Sequence, residues 1–306
     1  MRMSAVDAEA LQQWVGRTQV RNDVICAAPA AALSATLDYA QPLAVAGVVL
    51  PTCWHWLYFL DTAPASGLGV DGHAKRGDFL PPVPLPRRMW AGGRLRFASP
   101  LVVGDAVRRH STVSAVSHKQ GRTGDLVFVT VRHAIYRGDT LAIEEEQDLV
   151  YRGQGADSAA PASAAPISEP GSAPTSVLTP APPSAPPAAQ WSRELLPDPV
   201  LLFRYSALTF NSHRIHYDRA YATGEEGYAS LVVQGPLSVT LLLDLLRRQV
   251  PGADIAQLEF RARGPLLEGV PLQLQGRQDE DQVRLWALDA NGLLAMDVQA
   301  RLNRDT

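Results

Sequence analysis

Hydrophobic and polar positions alternate in two well-separated stretches, and each stretch follows a glycine turn of the same form. Leu126-Val-Phe-Val-Thr-Val-Arg-His-Ala-Ile-Tyr136 and Val283-Arg-Leu-Trp-Ala-Leu288 are β-branched, aromatic and broadly of period 2. That pattern predicts antiparallel strands with one buried face. Upstream of them, Phe97-Ala-Ser-Pro-Leu-Val-Val-Gly104-Asp-Ala-Val107 is echoed by Phe260-Arg-Ala-Arg-Gly-Pro-Leu-Leu-Glu-Gly269-Val-Pro-Leu272. Each reads as a strand, a Pro-Leu-x-x-Gly turn, and a second strand entering three residues after the glycine. Gly121-Arg-Thr-Gly124 and Ala290-Asn-Gly292 punctuate hairpins.

Ahead of its strands each half carries one strongly apolar helical candidate. In the first half it runs roughly from Val48 to Leu60 and contains Trp54-His55-Trp56-Leu57-Tyr58; in the second it runs from Pro236 to Val250. Leu237, Leu241, Leu242, Leu245 and Leu246 nearly encircle the second candidate, so it should be buried on most of its circumference. Pro236 in its first turn and Arg247-Arg248 in its last fit the start and stop rules for helices. The expected fold class is therefore α+β, a buried helix with an antiparallel sheet, present twice.

Between Gly153 and Gln190 the pattern stops, and Ala, Pro, Ser and Gly take over with almost no aromatics. Such a stretch cannot bury enough apolar surface to offset its ordering entropy, which predicts a linker at 153–190. The expected domains are then 1–152, 153–190 as linker, and 191–306. Of the 306 residues, 46% are hydrophobic and 19% charged, and the formal charge is −3. These values belong to an ordinary globular protein and point to no nucleic-acid or membrane partner. Cys26 and Cys53 are the two cysteines, too few for a disulfide framework, and no ligand spacing suggests a metal. No apolar run is long enough for a signal peptide or membrane span. A cytoplasmic protein is expected.

The stretch from Arg204 to Tyr221, RYSALTFNSHRIHYDRAY, is followed by Gly227-Tyr-Ala-Ser-Leu-Val-Val-Gln-Gly235-Pro236. Together they resemble the signature of the MaoC-like (R)-specific enoyl-thioester hydratases. The branch they look most like holds the mesaconyl-C4-CoA (3-methylfumaryl-CoA) hydratases and the mitochondrial 3-hydroxyacyl-thioester dehydratases. Trp14-Val-Gly-Arg17, Leu37-Asp38 and Leu149-Val-Tyr-Arg152 extend the resemblance over most of the chain. It implies a double hotdog fold, in which an N-terminal hotdog shapes the acyl site and a C-terminal one keeps the chemistry.

In that family an Asp, five residues before a His in an Asn-Pro-apolar-His motif, holds the water with it. Here His216 matches the His and Asp218 the acidic residue two places on. The Asp position is Asn211, and the Asn-Pro pair is His213-Arg214. Asn cannot take a proton at neutral pH, whereas an imidazole of pKa about 6.5 can. The resemblance thus implies His216 as general base toward water and then as proton donor to the α-carbon. Asn211 orients the water, and Asp218 or His213 is a second acid/base candidate. Gly235, at a helix N-terminus, offers a backbone N–H to a thioester oxygen. Arg204, Arg214, Tyr217 and Gln234 are the substrate-binding candidates, the arginines as partners for a substrate carboxylate.

The first half shows no comparable water-holding loop. His55 is expected as a packed histidine and Glu144-Glu145-Glu146 as a solvated turn or strand edge, while Arg87, Arg88, Arg94 and Arg96 are candidates for CoA phosphates. The implied partner is an acyl-CoA thioester, with acyl carrier protein as the alternative carrier. The implied assembly is a monomeric pseudo-dimer or a homodimer, and no cofactor is expected. Two further functions stay open at this point: a 3-hydroxyacyl-thioester dehydratase, and a silent hotdog that binds acyl-thioesters without turnover.

Overall fold

The computed structural model describes residues 6–121, 124–153 and 186–303. Residues 154–185, the body of the expected linker, lie outside the described residues. In chain order the elements are α1 (Ala8–Gln12), β1 (Thr18–Val24), α2 (Ala27–Thr36), β2 (Arg87–Phe97), β3 (Ala106–Gly121), β4 (Gly124–Arg137) and β5 (Thr140–Arg152). Then come β6 (Trp191–Leu195), α3 (Pro199–Leu208), α4 (Arg219–Gly224), α5 (Gly235–Gln249), β7 (Ile255–Ala262), β8 (Leu272–Asp279), β9 (Gln282–Leu288) and β10 (Leu294–Leu302). No helix among the described residues is long and apolar enough to cross a membrane.

All ten strands join one sheet in the order β1-β3-β4-β5-β2-β7-β10-β9-β8-β6, and every pairing is antiparallel. Read outward from its centre, the order is the same in both halves. The duplication heard in the sequence is thus a duplication of topology. The seam is the β2–β7 pair, where Gly92 stands opposite Arg261 and Gly93 opposite Phe260. A Cβ on Gly93 would lie 2.4 Å from the Phe260 ring and 2.7 Å from the Glu146 carbonyl, so only glycine lets the halves close here.

α5 follows the expected helix within a residue at either end, and its side chains from Leu237 to Leu246 are all buried. It packs on β8, β9 and β10; the alternating burial of β8 supplies the facing apolar row. The matching helix expected at 48–60 is absent. A single 3₁₀ turn, Trp54–Leu57, stands there, with Cys53 (φ 65°) and Phe59 (φ 56°) in the left-handed region on either side. Val48, Val49 and Pro51 disfavour helix on the approach, and two left-handed residues stop propagation. The helix of this half is instead the alanine-rich α2, which the apolar pattern did not single out.

The acidic triplet also departs from expectation. Glu144, Glu145 and Glu146 sit within β5, not at a turn. Glu144 pairs with Arg96 and Arg132, and Glu146 with Arg94. Glu145 is buried, taking the His55 ring and the Trp56 indole N–H at 2.9 Å each. His55 is a packed histidine, as its neighbours implied, although on a turn and not on a helix.

Candidate active site

The second half builds its site on a short run of caps. Asp198 accepts from the Leu201 N–H and Pro199 opens α3. α3 ends at Thr209, and Phe210 turns left-handed (φ 49°) to release the loop that carries Asn211 and His213. The backbone then makes one 3₁₀ turn, Arg214–His216, and Asp218 restarts helix by capping α4 through the Tyr221 N–H. The loop is stapled inward: the Val232 N–H donates to the Ile215 carbonyl at 2.9 Å.

Two side-chain bonds in this loop fix chemistry. His216 Nδ1 lies 2.7 Å from the Val232 carbonyl oxygen, which can only accept. Nδ1 therefore carries the proton, and Nε2 keeps its lone pair. Asn211 Oδ1 accepts from the His213 N–H at 3.1 Å, which turns the amide NH₂ outward as a donor. Burial, with the nearby His73 adding to it, lowers His216 to about 4, against the bond to Val232; the ring is neutral at neutral pH. Burial and the surrounding imidazoles hold His213 well below its ordinary value too.

The first half reaches into this site. Val70-Asp71-Gly72 runs against the loop: the Arg214 N–H donates to the Asp71 carbonyl at 2.9 Å, and the Ser212 hydroxyl donates to the Gly72 carbonyl. Gly72 has φ 86°, and a Cβ there would stand 1.9 Å from the Ser212 carbonyl oxygen. Next along, His73 gives its backbone N–H to Asp71 Oδ1 at 3.1 Å, with ring Nδ1 3.2 Å from Oδ2. The His73 ring lies 4.1 Å from that of His213, which meets His216 edge-on at 5.4 Å.

Asp71, His73, His213, Asn211, His216 and Gly235 line one cavity or its wall: all but Asp71 border a space of about 440 Å³. Gly235 opens α5 with the positive end of a 15-residue helix. Trp90 covers it so closely that a Cβ would lie 2.7 Å from the indole. Trp90 in turn stacks on Phe260 at 4.2 Å and meets Trp56 edge-on. A second space of about 930 Å³ shares Arg88, Trp90, Asn211 and Pro236 with the first and runs toward Ser111 and His133.

The donor atoms of Asp71, His73 and His213 lie within 4.8 Å of one another, close enough to consider an ion. Both carboxylate oxygens of Asp71 are already taken by His73. The trio therefore forms a hydrogen-bonded pair with a third imidazole tilted at 39° beside it, not a preformed cage.

Of the residues singled out in the sequence, His213, His216, Asn211 and Gly235 converge here, and the other five do not. Arg204 is exposed on α3. Arg214 is held outward by Asp218 at 2.7 Å and by the Tyr221 ring, which also occupies Asp218. Tyr217 is half exposed, its hydroxyl on the Ser212 carbonyl at 3.2 Å. Gln234 is buried behind the helix start, donating to the Leu202 carbonyl and the Ser206 hydroxyl. Neighbourhood in sequence misled because a 3₁₀ turn has three residues per turn, so Arg214 leaves on a different side from His216.

Among the phosphate candidates, Arg94 and Arg96 are spent on β5 carboxylates and Arg87 on Glu226. Arg88 borders both spaces and has no hydrogen-bond or carboxylate partner among the described residues. Asp71, His73 and Trp90 were not singled out by the sequence. The one signal for Asp71 and His73 was position in a patternless, glycine-punctuated segment, where functional side chains concentrate; Trp90 lies within strand β2.

A family model described as hydroxyacyl-thioester dehydratase type 2 matches residues 53–268. A mesaconyl-C(4)-CoA hydratase of Chloroflexus aurantiacus is 45% identical over 289 residues, covering 94% of this chain and 96% of the relative. The mitochondrial hydroxyacyl-thioester dehydratase type 2 of Schizosaccharomyces pombe is 30% identical, over 83% of this chain and 88% of the relative. Among solved structures, a Mycobacterium tuberculosis protein described as a double hotdog matches with a TM-score of 0.57 at 16% identity, covering 94% of this chain and 96% of that one.

Proposed function

The chain belongs to the hydroxyacyl-thioester dehydratase type 2 family, and we propose that it adds water reversibly to a 2-enoyl-CoA thioester. The substrate is a short dicarboxylic acyl-CoA of the mesaconyl-C4 kind. One observation carries this reading: a neutral imidazole with a free Nε2, an amide donor and a helix N-terminus face one cavity.

Each group has a step. His216 Nε2 takes one proton from water as the oxygen bonds to the β-carbon. The π electrons of the double bond move through the α-carbon to the thioester oxygen. The Gly235 N–H, backed by the α5 dipole, binds that enolate-like oxygen; one such donor is worth about 3–4 kcal/mol in the transition state. His216 then returns its proton to the α-carbon, so the ring ends as it began. Asn211 holds the water through its amide NH₂ and transfers nothing.

Arg88 supports the dicarboxylic substrate. A guanidinium that has no counter-ion among the described residues and stands beside the reacting groups suits a carboxylate on the β-carbon. Wild-type protein should remove the enoyl-thioester absorbance of mesaconyl-C4-CoA. Arg88→Met should raise KM for that substrate about 10- to 100-fold, the range for a charged hydrogen bond, and leave crotonyl-CoA little changed. Equal losses on both substrates would assign Arg88 to the CoA end. The adjoining 930 Å³ space favours a second reading, dehydration of longer 3-hydroxyacyl-thioesters on CoA or a carrier protein. A preference for chains of eight or more carbons would establish it.

A further inference from the structure

On the hydration reading, a water that gives one hydrogen to His216 must place its second hydrogen on an acceptor. Asn211 offers little for it: one lone pair of its Oδ1 is taken by the His213 N–H, its NH₂ group only donates, and a neutral amide oxygen accepts more weakly than a carboxylate or an imidazole nitrogen. Among the described residues, the carboxylates that the second half brings near the site are already engaged: Asp218 is capped on α4 and paired with Arg214, and Glu226, which lines the cavity, is paired with Arg87 at 3.0 Å. The cavity nevertheless holds a carboxylate-backed base, and the first half brings it.

We propose that the Asp71–His73 pair supplies the missing acceptor, with His73 as a catalytic residue that binds the nucleophilic water and Asp71 as the residue that positions it. Asp71 takes Nδ1–H of His73 at 3.2 Å, which fixes the tautomer and leaves the Nε2 lone pair free. That nitrogen has no protein partner among the described residues, and the ring borders the cavity. The pair is also held in place from outside. Arg214 N–H on the Asp71 carbonyl, Ser212 Oγ–H on the Gly72 carbonyl and Arg214 Nη1–H on the Val70 carbonyl tie it to the water-holding loop itself. Gly72 permits that contact and no larger residue would.

The proton count stays that of the hydration step. One water hydrogen goes to His216 and on to the α-carbon; the other remains on oxygen, hydrogen-bonded to His73, and becomes the product hydroxyl. His213 lies between the two rings, 4.1 Å from one and 5.4 Å from the other. Its ring has no hydrogen-bond partner among the described residues to fix its tautomer, so it serves as the wall between them. Burial and the charge of Arg88 lower His73 to about 4, against the bond to Asp71. The ring is therefore neutral and able to accept near pH 7.

The test uses the full chain, mesaconyl-C4-CoA and crotonyl-CoA as probes, and thermal melting as a check of folding. His73→Gln should lower kcat about 30- to 1,000-fold with KM within threefold. Asp71→Asn should lower it less, about tenfold. Adding Asn211→Asp to His73→Gln should recover at least tenfold in kcat, because a carboxylate again stands where the motif places one, and should add an acidic limb to the pH profile. A folded His73→Gln protein within threefold of wild-type kcat overturns the proposal, as does a loss that Asn211→Asp leaves unrepaired. Should His73→Gln not fold, an isosteric Asp71→Asn protein with wild-type kcat overturns it. Wild-type protein without turnover on either probe overturns the hydration reading and this inference together; an active wild type with active variants overturns this inference alone.

Discussion

At the scale of single residues, the site works by denying groups their usual partners. His216 is buried and makes one side-chain bond, donating from Nδ1 to the Val232 carbonyl, so its other nitrogen has only the cavity to address. His216→Ala should lower kcat by about a hundred- to ten-thousand-fold, the range for losing a general acid/base, with the melting temperature close to wild type. The pH profile follows from the depressed pKa of about 4. A base is inactive when protonated, so kcat/KM should be flat from pH 5 to 8 and fall with acid only near pH 4. A mid-point near 6.5 would mean that His216 titrates as an exposed imidazole and that the buried geometry is not the working one. His216 was readable because its motif is local, whereas His73 was not, since its ring partners Asp71 and His213 come from two halves of the chain.

At the scale of elements, α5 decides where the second half keeps its chemistry, and its far end is anchored as firmly as its start. Asp244, in the middle of its buried surface, binds Arg193 of β6 at 2.7 Å, Arg248 at 2.9 Å and the Tyr39 hydroxyl at 2.6 Å. Arg248 also reaches the Leu37 carbonyl of the first half. Asp244→Ala leaves these groups without their common acceptor. Removing one partner of a buried pair typically costs about 3–5 kcal/mol; because both guanidiniums touch solvent, about 2–4 kcal/mol is expected. Urea unfolding should show the loss as a lower midpoint at unchanged slope, with Asp244→Asn in between. Among the elements, α5 was legible because leucine recurs around its whole circumference. The 48–60 segment has the same apolarity, yet its left-handed residues at Cys53 and Phe59 could not be read from composition.

At the scale of the whole molecule, burial of neutral imidazoles ties stability to pH. His73, His133 and His216 are each lowered from 6.5 to about 4, burial being the largest cause in all three. Between those values the unfolded chain binds more protons than the folded one, so stability falls as pH drops through the window. Each ring should cost about 1–2 kcal/mol between pH 7 and pH 5, measurable as a falling urea midpoint. His133→Gln should make that slope shallower; an unchanged slope would place the proton uptake elsewhere. The origin of the fold is divided along the same line. Strand alternation, the repeated Pro-Leu-x-x-Gly turns, the leucine-wrapped helix and the His216 loop are set by neighbours within a few residues, and the sequence determined them. The β2–β7 seam, the loss of one central helix, the outward turn of Arg204 and Arg214, and the arrival of Asp71, His73, Arg88 and Trp90 at the cavity were decided by tertiary structure. Those depend on contacts across 70 to 170 positions, such as Gly93 against Phe260 or Gly72 against Ser212, and no local periodicity encodes a distance in space.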